Sequence, residues 1–413
     1  MRSIKFEFRK FSEVEIELPL SKSISNRLQI LQSLWPGQLS IKTLSSAEDS
    51  LILERNLNSN VKKIDCGMAG TAYRFLTAFF AIKKGSQIIL NGAERMRERP
   101  IGILVEALRA LGADISYLGK EGYPPLLICG KELRGGSVEI DSSVSSQFIT
   151  ALLLIAGKFQ NGLTLKLKGE ESSAPYTDMT IYLLQEMGLT VKRVEERAIQ
   201  FAPLTAPPKA KTLSVEADWS SAAFFYQLLL FHPTLKKLQL NGLQVNSIQG
   251  DVKVAQYFKH FGIETQENQR GVRVTQEHSS IQKELNFDLS HEPDLAPSLM
   301  LSAAFFSKKS TFTGIKSLRI KESDRIAALK NELAKLGILL TNVSDDEVQI
   351  ERKEQEKPKL ELAFNSYQDH RIAMALAPVA YLFNAIELDD PTVVSKSFPD
   401  YWQQAAKCGL VLN

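Results

Sequence analysis

Seven basic residues lie at or near the N-termini of predicted helices, where positive side chains are least expected. The helix dipole disfavours a cation at this end by about 0.3–1 kcal/mol. Lys and Arg bind phosphate and carboxylate groups, and Arg can do so through two parallel hydrogen bonds. The pattern therefore predicts a site for small polyanions, lined by Lys22, Arg27, Arg74, Arg99, Lys321, Arg325 and Arg371. Most Ser and Asp residues at the same helix starts are interpreted as N-caps, including Asp218 and Asp251.

Two carboxylates stand among these cations and could take part in chemistry. Asp294 follows Pro293 and precedes an apolar run, and Glu322 lies between Lys321 and Arg325. In a cationic site such groups could accept and donate protons. On spacing alone, Glu322 could equally well pair with Arg325 on its own helix.

The sequence lacks the motifs of several other enzyme classes. It has no Gly-x-Ser-x-Gly elbow, no Walker A sequence and no dinucleotide-binding glycine fingerprint. The five His and three Cys residues form no cluster with metal-ligand spacing.

A glycine-containing loop spans residues 65–74, with the sequence Asp-Cys-Gly-Met-Ala-Gly-Thr-Ala-Tyr-Arg. Gly67 and Gly70 would let the backbone pass close to a ligand, and the helix that follows would offer free N–H groups to an anion. Taken alone, the loop could simply lead into a buried helix. Cys66 is interpreted as a small core residue.

The elements that must position these residues recur along the chain. Apolar helical runs begin near Asn26, Gly70, Ser146, Ser221, Leu295 and His370, and the last four intervals are 74 to 76 residues. A second series of amphipathic helices ends on a hydrophobic residue followed by Gly, the usual C-terminal stop. These pairs are Leu111-Gly112, Met187-Gly188, Phe261-Gly262, Leu336-Gly337 and Cys408-Gly409.

The repeats predict an α/β protein of six βαβαββ-type units. A helix that is apolar on nearly all faces is buried, so we expect closed bodies with central helices and outer strands, three repeats in each. A chain of 413 residues is also too long for one ordinary core. The first repeat is short, because Gly70 follows Asn26 by only 44 residues. It keeps a second helix near residues 47–57 and lacks the strand pair, which predicts a peripheral deletion.

Composition restricts the cellular context. The net charge of +3 argues against nucleic-acid or membrane binding. Three widely spaced cysteines are expected to be free thiols in a reducing compartment. No signal peptide or membrane span is evident, so a cytoplasmic protein is expected.

Seven motifs in this sequence resemble those of the 5-enolpyruvylshikimate-3-phosphate synthases, members of the enolpyruvyl transferase family. They occur in the family's order and cover nearly the whole chain, which makes the resemblance specific. The motifs are Ser21-Lys22-Ser23-Ile24-Ser25-Asn26-Arg27, Gly67-Met68-Ala69-Gly70-Thr71-Ala72-Tyr73-Arg74, Arg95-Met96-Arg97-Glu98-Arg99-Pro100-Ile101, Val144-Ser145-Ser146-Gln147-Phe148, Arg319-Ile320-Lys321-Glu322-Ser323-Asp324-Arg325, Asp369-His370-Arg371-Ile372-Ala373-Met374 and Lys396-Ser397-Phe398-Pro399-Asp400-Tyr401.

The resemblance implies transfer of the enolpyruvyl group from phosphoenolpyruvate to the 5-hydroxyl of shikimate 3-phosphate, in the shikimate pathway. It implies a two-domain inside-out α/β barrel, a cleft that closes on shikimate 3-phosphate, no metal or organic cofactor, and a monomer. The N-terminal domain would span residues 20–217, and the C-terminal domain residues 1–19 and 218–413. The chain would cross between them near residues 18–20 and 216–219.

The resemblance also assigns site residues by position. The phosphoenolpyruvate contacts would be Lys22, Gly70, Arg99, Gln147, Arg325, Arg371 and Lys396. The shikimate 3-phosphate contacts would be Lys22, Ser23, Arg27, Ser145, Ser146, Gln147, Ser173, Tyr176, Asp294 and Lys321. Asp294 resembles the family's proton acceptor and Glu322 its proton donor, and Lys22 would share in proton transfer. Arg74 is expected to lie behind the ligand contacts.

Three residues depart from the family pattern. Leu20 and Met68 stand where the family commonly has Gly and Asn, and Ser317 where some members use Asn for the shikimate substrate. Two alternatives stay open at this stage: an enolpyruvyl transferase acting on UDP-N-acetylglucosamine, and a catalytically silent binding protein. Glyphosate sensitivity is a further expectation, because Gly70 leaves room beside its loop.

Overall fold

The computed structural model describes residues 1–8, 13–59, 61–195, 197–277, 283–352 and 362–413. The chain forms two compact bodies. The N-terminal body is Ser21–Val215, and the C-terminal body combines Met1–Leu20 with Glu216–Asn413.

The elements follow one another in a repeating order. The first part of the chain contains β1 (Arg2–Phe6), β2 (Val14–Glu17), α1 (Lys22–Leu34), β3 (Leu39–Ile41), α2 (Glu48–Leu57), β4 (Lys63–Asp65), α3 (Gly70–Ile82), β5 (Gln87–Asn91), α4 (Glu94–Arg97), α5 (Gly102–Ala110), β6 (Asp114–Tyr117), β7 (Leu126–Cys129), β8 (Gly136–Asp141), α6 (Ser146–Ile155), β9 (Leu163–Lys168), α7 (Ala174–Glu186), β10 (Val191–Glu195), β11 (Ala198–Phe201) and β12 (Lys211–Leu213). The second part contains α8 (Trp219–Phe231), β13 (Lys237–Asn241), α9 (Val254–Lys259), β14 (Ile263–Asn268), β15 (Gly271–Gln276), β16 (Glu284–Asp288), α10 (Ala296–Phe306), β17 (Lys309–Thr313), α11 (Arg325–Lys335), β18 (Ile338–Asn342), β19 (Glu347–Arg352), β20 (Ala363–Phe364), α12 (His370–Leu376), α13 (Ala380–Phe383), β21 (Ala385–Leu388), α14 (Tyr401–Lys407) and β22 (Leu410–Leu412).

The first helix of each repeat forms the core, as the apolar runs predict. All thirteen residues of α8 are buried, and in α6 every residue except Gln147 is buried. Strands such as β8 instead alternate buried and exposed residues. Each such sheet therefore packs one face on the helices and turns the other to solvent.

The predicted helix stops are also confirmed. The glycine after each amphipathic helix has a positive φ, between 71° and 100°, which other residues rarely adopt. These glycines are Gly112, Gly188, Gly262, Gly337 and Gly409.

The sheets confirm six repeats with a shortened first one. Five sheets share one arrangement, in which a parallel pair is followed by two antiparallel strands. Their orders are β4-β5-β7-β6, β8-β9-β11-β10, β2-β13-β15-β14, β16-β17-β19-β18 and β20-β21-β1-β22. Among the described residues the sixth sheet has only the parallel pair β12-β3, so the first repeat lacks the hairpin.

The strand pairings account for the two chain crossings. Strand β2 leads into α1 of the N-terminal body but pairs with β13 of the C-terminal body. Strand β12 leads into α8 of the C-terminal body but pairs with β3 of the N-terminal body. Each body thus takes one strand from the segment that precedes the other's first central helix.

Candidate active site

The helix starts of the C-terminal body bring together seven charged side chains, which we call the ion-pair cluster. Each comes from the first turn of a helix, from the loop or 3-10 turn that leads into a helix, or from the end of a 3-10 turn. The cluster consists of Asp294, Lys321, Glu322, Arg325, Asp369, Arg371 and Lys396.

Arg325 is the centre of this cluster and is almost fully buried. Its Nη1 lies 3.0 Å from Asp294 Oδ1, and its Nη2 lies 3.0 Å from Glu322 Oε2. Its Nε donates to Asp369 Oδ2 at 2.8 Å. Burial opposes the charge of Arg325, but Asp369, Glu322 and Asp294 outweigh it and raise the pKa of the guanidinium. The group is therefore a fixed cation.

Asp294 has three cationic neighbours. Arg371 Nη2 lies 2.8 Å from Asp294 Oδ2, and Lys321 Nζ lies 3.7 Å from Oδ1. Burial would favour the neutral acid, but the charges of Arg371, Lys321 and Arg325 outweigh it and hold the pKa of Asp294 well below its usual range. Asp294 is therefore ionised at neutral pH, as a proton acceptor must be.

Glu322 links the loop before α11 to a more distant cation. Its Oε1 lies 3.1 Å from Lys396 Nζ, and its Oε2 accepts from Arg325. The sequence left open whether Glu322 only pairs with Arg325 on its own helix. The structure shows that pair and adds Lys396, so Glu322 bridges two cations.

Asp369 holds two of the arginines and was not among the predicted site residues. Its carboxylate accepts from Arg325 Nε, from Ser323 Oγ at 3.1 Å and from the backbone N–H of Arg371 at 3.0 Å. It is fully buried. Asp369 precedes α12, so its position in the sequence predicts only an N-cap. Nothing in the sequence indicates the additional contact with Arg325.

The prediction that Asp251 is an N-cap is wrong. It lies inside a 3-10 turn, Gly250–Lys253, and its buried carboxyl accepts from Ser220 Oγ. Burial, and then the nearby charge of Asp294, raise the pKa of Asp251 to about 7. Asp218 does cap α8, accepting from Ser221 N at 3.0 Å.

In the N-terminal body, the start of α3 lies against two arginines. A methyl group on Gly70 would lie 2.7 Å from Arg99 Nη1 and 2.8 Å from Arg74 Nη1. Arg74 also donates to the carbonyl oxygens of Gly70 at 3.0 Å and Pro100 at 3.3 Å. A side chain at residue 70 would therefore displace both guanidiniums. Arg74 donates to backbone carbonyl groups here, and its place behind the ligand contacts stays a prediction.

The start of α6 contributes hydroxyl and amide groups. Ser145 caps the helix by accepting from Gln147 N at 3.3 Å, and Ser146 is the first helical residue. Gln147 Nε2 donates to Thr71 Oγ1 at 3.1 Å. This contact ties the second and third repeats of the body together at their helix starts.

The start of α7 is held by Arg27 from α1. Arg27 donates to Thr180 Oγ1 at 2.8 Å, to Ser23 O at 2.7 Å and to Tyr176 O at 2.9 Å. Burial lowers the pKa of Arg27 to about 10, against an opposing effect of Tyr176. Arg27 therefore holds α1 against α7 through these hydrogen bonds. Its contact with shikimate 3-phosphate stays a prediction. Ser173, before α7, has a φ of 58°.

Lys22 has a partner that sequence reasoning missed. Its Nζ lies 2.9 Å from Oδ2 of the buried Asp49, on α2. Asp49 stands in the first turn of that helix, where an acidic residue is expected for the dipole alone. The sequence therefore does not show whether Asp49 only stabilises the start of its helix or also pairs with Lys22.

Comparison with known proteins decides the family. The sequence model described as EPSP synthase (3-phosphoshikimate 1-carboxyvinyltransferase) matches residues 12–405. The chain belongs to the EPSP synthase family.

Relatives and solved structures of this family resemble the whole chain. A 3-phosphoshikimate 1-carboxyvinyltransferase of Bacteroides fragilis (strain YCH46) is 40% identical over 394 residues, covering 95% of both chains. One from Marinomonas sp. (strain MWYL1) is 34% identical over 420 residues, covering 94% of this chain and 95% of the other. The structure of EPSP synthase from Acinetobacter baumannii aligns with a TM-score of 0.75 and 21% identity, covering 100% of this chain and 99% of that one.

The three departures from the family pattern occupy distinct environments. Leu20 pairs with Ala217 in an isolated bridge. Met68 offers its carbonyl oxygen to Arg99 Nη1 at 3.5 Å. The buried hydroxyl of Ser317 has no hydrogen-bond partner among the described residues.

The described part of the chain contains no group of three or more His, Cys, Asp or Glu side chains that could hold a metal ion. None of its helices is both long enough and apolar enough to cross a bilayer.

Proposed function

We propose that the chain transfers the enolpyruvyl group of phosphoenolpyruvate to the 5-hydroxyl of shikimate 3-phosphate. The products would be 5-enolpyruvylshikimate 3-phosphate and phosphate, on the shikimate pathway to chorismate and the aromatic amino acids. This is the activity of a 3-phosphoshikimate 1-carboxyvinyltransferase, EC 2.5.1.19. The family match over residues 12–405 carries the proposal. All three cysteines are free thiols, which supports the further proposal of a cytoplasmic enzyme. We expect it to act as a monomer.

The proposed binding site for phosphoenolpyruvate consists mainly of basic side chains and the loop that contains Gly70. The phosphate and carboxylate of this substrate would take charge-assisted hydrogen bonds from guanidinium and ammonium groups, and the first N–H groups of α3 would add an anion site. The close fit of Gly70 against Arg99 supports this assignment. The proposed contacts are Lys22, Gly70, Arg99, Gln147, Arg325, Arg371 and Lys396.

Shikimate 3-phosphate is assigned the groups that suit a hydroxylated ring with one phosphate. Hydroxyl groups at the starts of α1, α6 and α7 fit this chemistry, and the unpartnered hydroxyl of Ser317 offers one more hydrogen bond. The proposed contacts are Lys22, Ser23, Arg27, Ser145, Ser146, Gln147, Ser173, Tyr176, Asp294 and Lys321.

The reaction proceeds by addition and elimination. Asp294 accepts the proton of the 5-hydroxyl as its oxygen bonds to C2 of phosphoenolpyruvate, and Lys22 shares in proton transfer. The C2–C3 double-bond electrons take a proton from Glu322 at the methylene carbon, giving a tetrahedral ketal. The ionised Glu322 then takes a proton from the methyl group, and the C–H electrons restore the C2–C3 double bond. The C2–O bond to phosphate breaks at the same time, and inorganic phosphate leaves with that electron pair. The lowered pKa of Asp294 keeps the group ionised, so that it has a lone pair free to accept a proton, and fixed cations stabilise the developing charge.

An acceptor assay tests the proposal against its alternatives. We expect phosphate release from phosphoenolpyruvate with shikimate 3-phosphate and none with UDP-N-acetylglucosamine. Release only with the second acceptor would identify the other enolpyruvyl transferase. No release with either would identify a silent binding protein.

Glyphosate inhibition is a secondary proposal that rests on the family match. The prediction of room beside Gly70 is wrong, because the guanidiniums of Arg74 and Arg99 fill it. An inhibition curve that falls at micromolar glyphosate is the expected result. A curve flat into the millimolar range would contradict it and would point to Met68, which stands beside the loop.

A further inference from the structure

The proposed proton-transfer carboxylates and substrate-binding cations of the C-terminal body neutralise one another. Arg371 lies 2.8 Å from Asp294, and Lys396 lies 3.1 Å from Glu322. Arg325 lies 3.0 Å from both carboxylates. Every proposed phosphoenolpyruvate cation of this body therefore has a carboxylate of the same site as its partner.

The two sides of Arg325 differ in exposure. Its Nε and Nη2 donate to Asp369, whose side chain is fully buried, at 2.8 and 3.3 Å. Its Nη1 donates to Asp294, and Nη2 also donates to Glu322. The side chains of these two residues are 21% and 10% exposed. A ligand arriving from solvent therefore meets the Asp294 and Glu322 side first, and Asp369 stays behind the guanidinium.

We propose that Asp294 and Glu322 act as internal counter-anions of the phosphoenolpyruvate site. Their carboxylates hold the outward N–H groups of the cations before substrate binds, and the phosphate and carboxylate of phosphoenolpyruvate take over those N–H groups. This inference rests on the proposed function and adds a role to both residues.

The exchange links binding to chemistry. While Asp294 is paired with three cations it is a weak base, because its charged form is strongly stabilised. Replacing those contacts with substrate anions weakens that stabilisation, so Asp294 becomes a better proton acceptor. Glu322, released from Lys396 and Arg325, can likewise carry the proton that it must donate. The carboxylates thus lower the affinity for phosphoenolpyruvate and become reactive when it is bound.

Equilibrium binding to the full chain, without shikimate 3-phosphate, tests this inference separately from turnover. The probes are phosphoenolpyruvate and, separately, inorganic phosphate, at low ionic strength and pH 7. Asp294→Asn and Glu322→Gln should each lower the Kd of phosphoenolpyruvate by about tenfold or more, since each removes a competing charge at contact distance.

Asp324→Asn is the matched control. Asp324 is two residues from Glu322 and caps α11 by accepting from Ala327 N at 3.0 Å, a bond that Asn can keep. It removes one negative charge without touching the cluster contacts described above, so its Kd should stay within about twofold of the parent value.

If both Asp294→Asn and Glu322→Gln bind phosphoenolpyruvate with unchanged or weaker affinity, the proposal is overturned. The two carboxylates would then hold the guanidiniums in place and would not compete with phosphoenolpyruvate for them. If one variant unfolds, the other still decides, since Asp294 and Glu322 pair with different second cations. Turnover of the unchanged chain separates the two claims. If the unchanged chain turns over but neither variant binds phosphoenolpyruvate more tightly, only the counter-anion role is refuted. If the variants bind it more tightly but the unchanged chain shows no turnover, the proposed function is refuted.

Discussion

The helix starts of the two bodies share one repeat architecture but present different chemistry. In the C-terminal body three carboxylates and four cations interlock through side-chain ion pairs. In the N-terminal body, Arg27 and Arg74 donate largely to backbone carbonyl and hydroxyl groups, and Lys22 pairs with Asp49. The difference indicates that the repeat fixes where a site forms, while the residues at each helix start decide what it does.

The largest expected effect tests whether proton transfer belongs to the C-terminal body. Glu322→Gln should lower turnover roughly 10²–10⁴-fold, the range for losing a general acid. Binding of shikimate 3-phosphate should persist, because most of its proposed contacts lie in the other body. Steady-state phosphate release and calorimetric binding measure the two quantities. Near-normal turnover would remove Glu322 from the mechanism.

The second prediction concerns Asp369, which has no assigned counterpart in the N-terminal body. Asp369→Ala should lower the free energy of unfolding by about 3–5 kcal/mol, because it leaves the buried Arg325 without its inner partner. Denaturant unfolding measures the change. Asp390→Ala is the control and should cost about 1 kcal/mol. Asp390 caps a 3-10 turn at Thr392 N and has no arginine partner within the described ranges of the chain. Equal effects would reduce Asp369 to a helix cap.

A third, smaller effect is expected at the N-terminal body's glycine loop. Gly70→Ala places a methyl group 2.7 Å from Arg99 Nη1, so the guanidinium must move. The KM for phosphoenolpyruvate should rise about tenfold, a cost near 1.4 kcal/mol. Shikimate 3-phosphate affinity in the same variant is the internal control. An unchanged KM would separate the loop from phosphoenolpyruvate binding.

Much of the fold could be predicted because the core helices carry a strong signal. The run Trp219–Phe231 is apolar on all faces, and α8 is buried along its whole length. The hydrophobic-Gly pairs predicted where the amphipathic helices end. The short interval between Asn26 and Gly70 predicted that the first repeat lacks a strand pair. The exchange of β2 and β12 was implied only by the family resemblance, which assigned residues 1–19 to the C-terminal domain and residues 20–217 to the N-terminal domain. The strand sequences alone carry no information about which body supplies the partner.

The site could be predicted only in part. The argument from the helix dipole identified Lys321, Arg325 and Arg371, because cations are disfavoured at helix N-termini. Asp294 and Glu322 were noticed as carboxylates among these cations, and Lys396 came only from the family resemblance. Asp369 and Asp49 were missed because an acid at a helix start already has a simpler explanation. Asp251 was misread for the same reason. Its burial depends on packing against Ser220, which no local pattern reports.

The smallest expected effect concerns Asp251 and pH. Its pKa is raised to about 7 in the folded state, so between about pH 4 and 7 the folded chain binds more protons than the unfolded chain at this site. This contribution to stability is therefore lost as pH rises through 7. Asp251→Asn should be more stable than the parent at pH 8, with less difference at pH 5. Thermal unfolding at the two pH values measures this, and a pH-independent difference would contradict the buried-acid account.

Phosphorus NMR of the unchanged chain is the decisive experiment for enolpyruvyl transfer. With phosphoenolpyruvate and shikimate 3-phosphate, the phosphoenolpyruvate resonance should fall as those of inorganic phosphate and a new phosphate monoester rise in equal amounts. Phosphoenolpyruvate and shikimate 3-phosphate resonances that both stay unchanged in the presence of folded protein would contradict it.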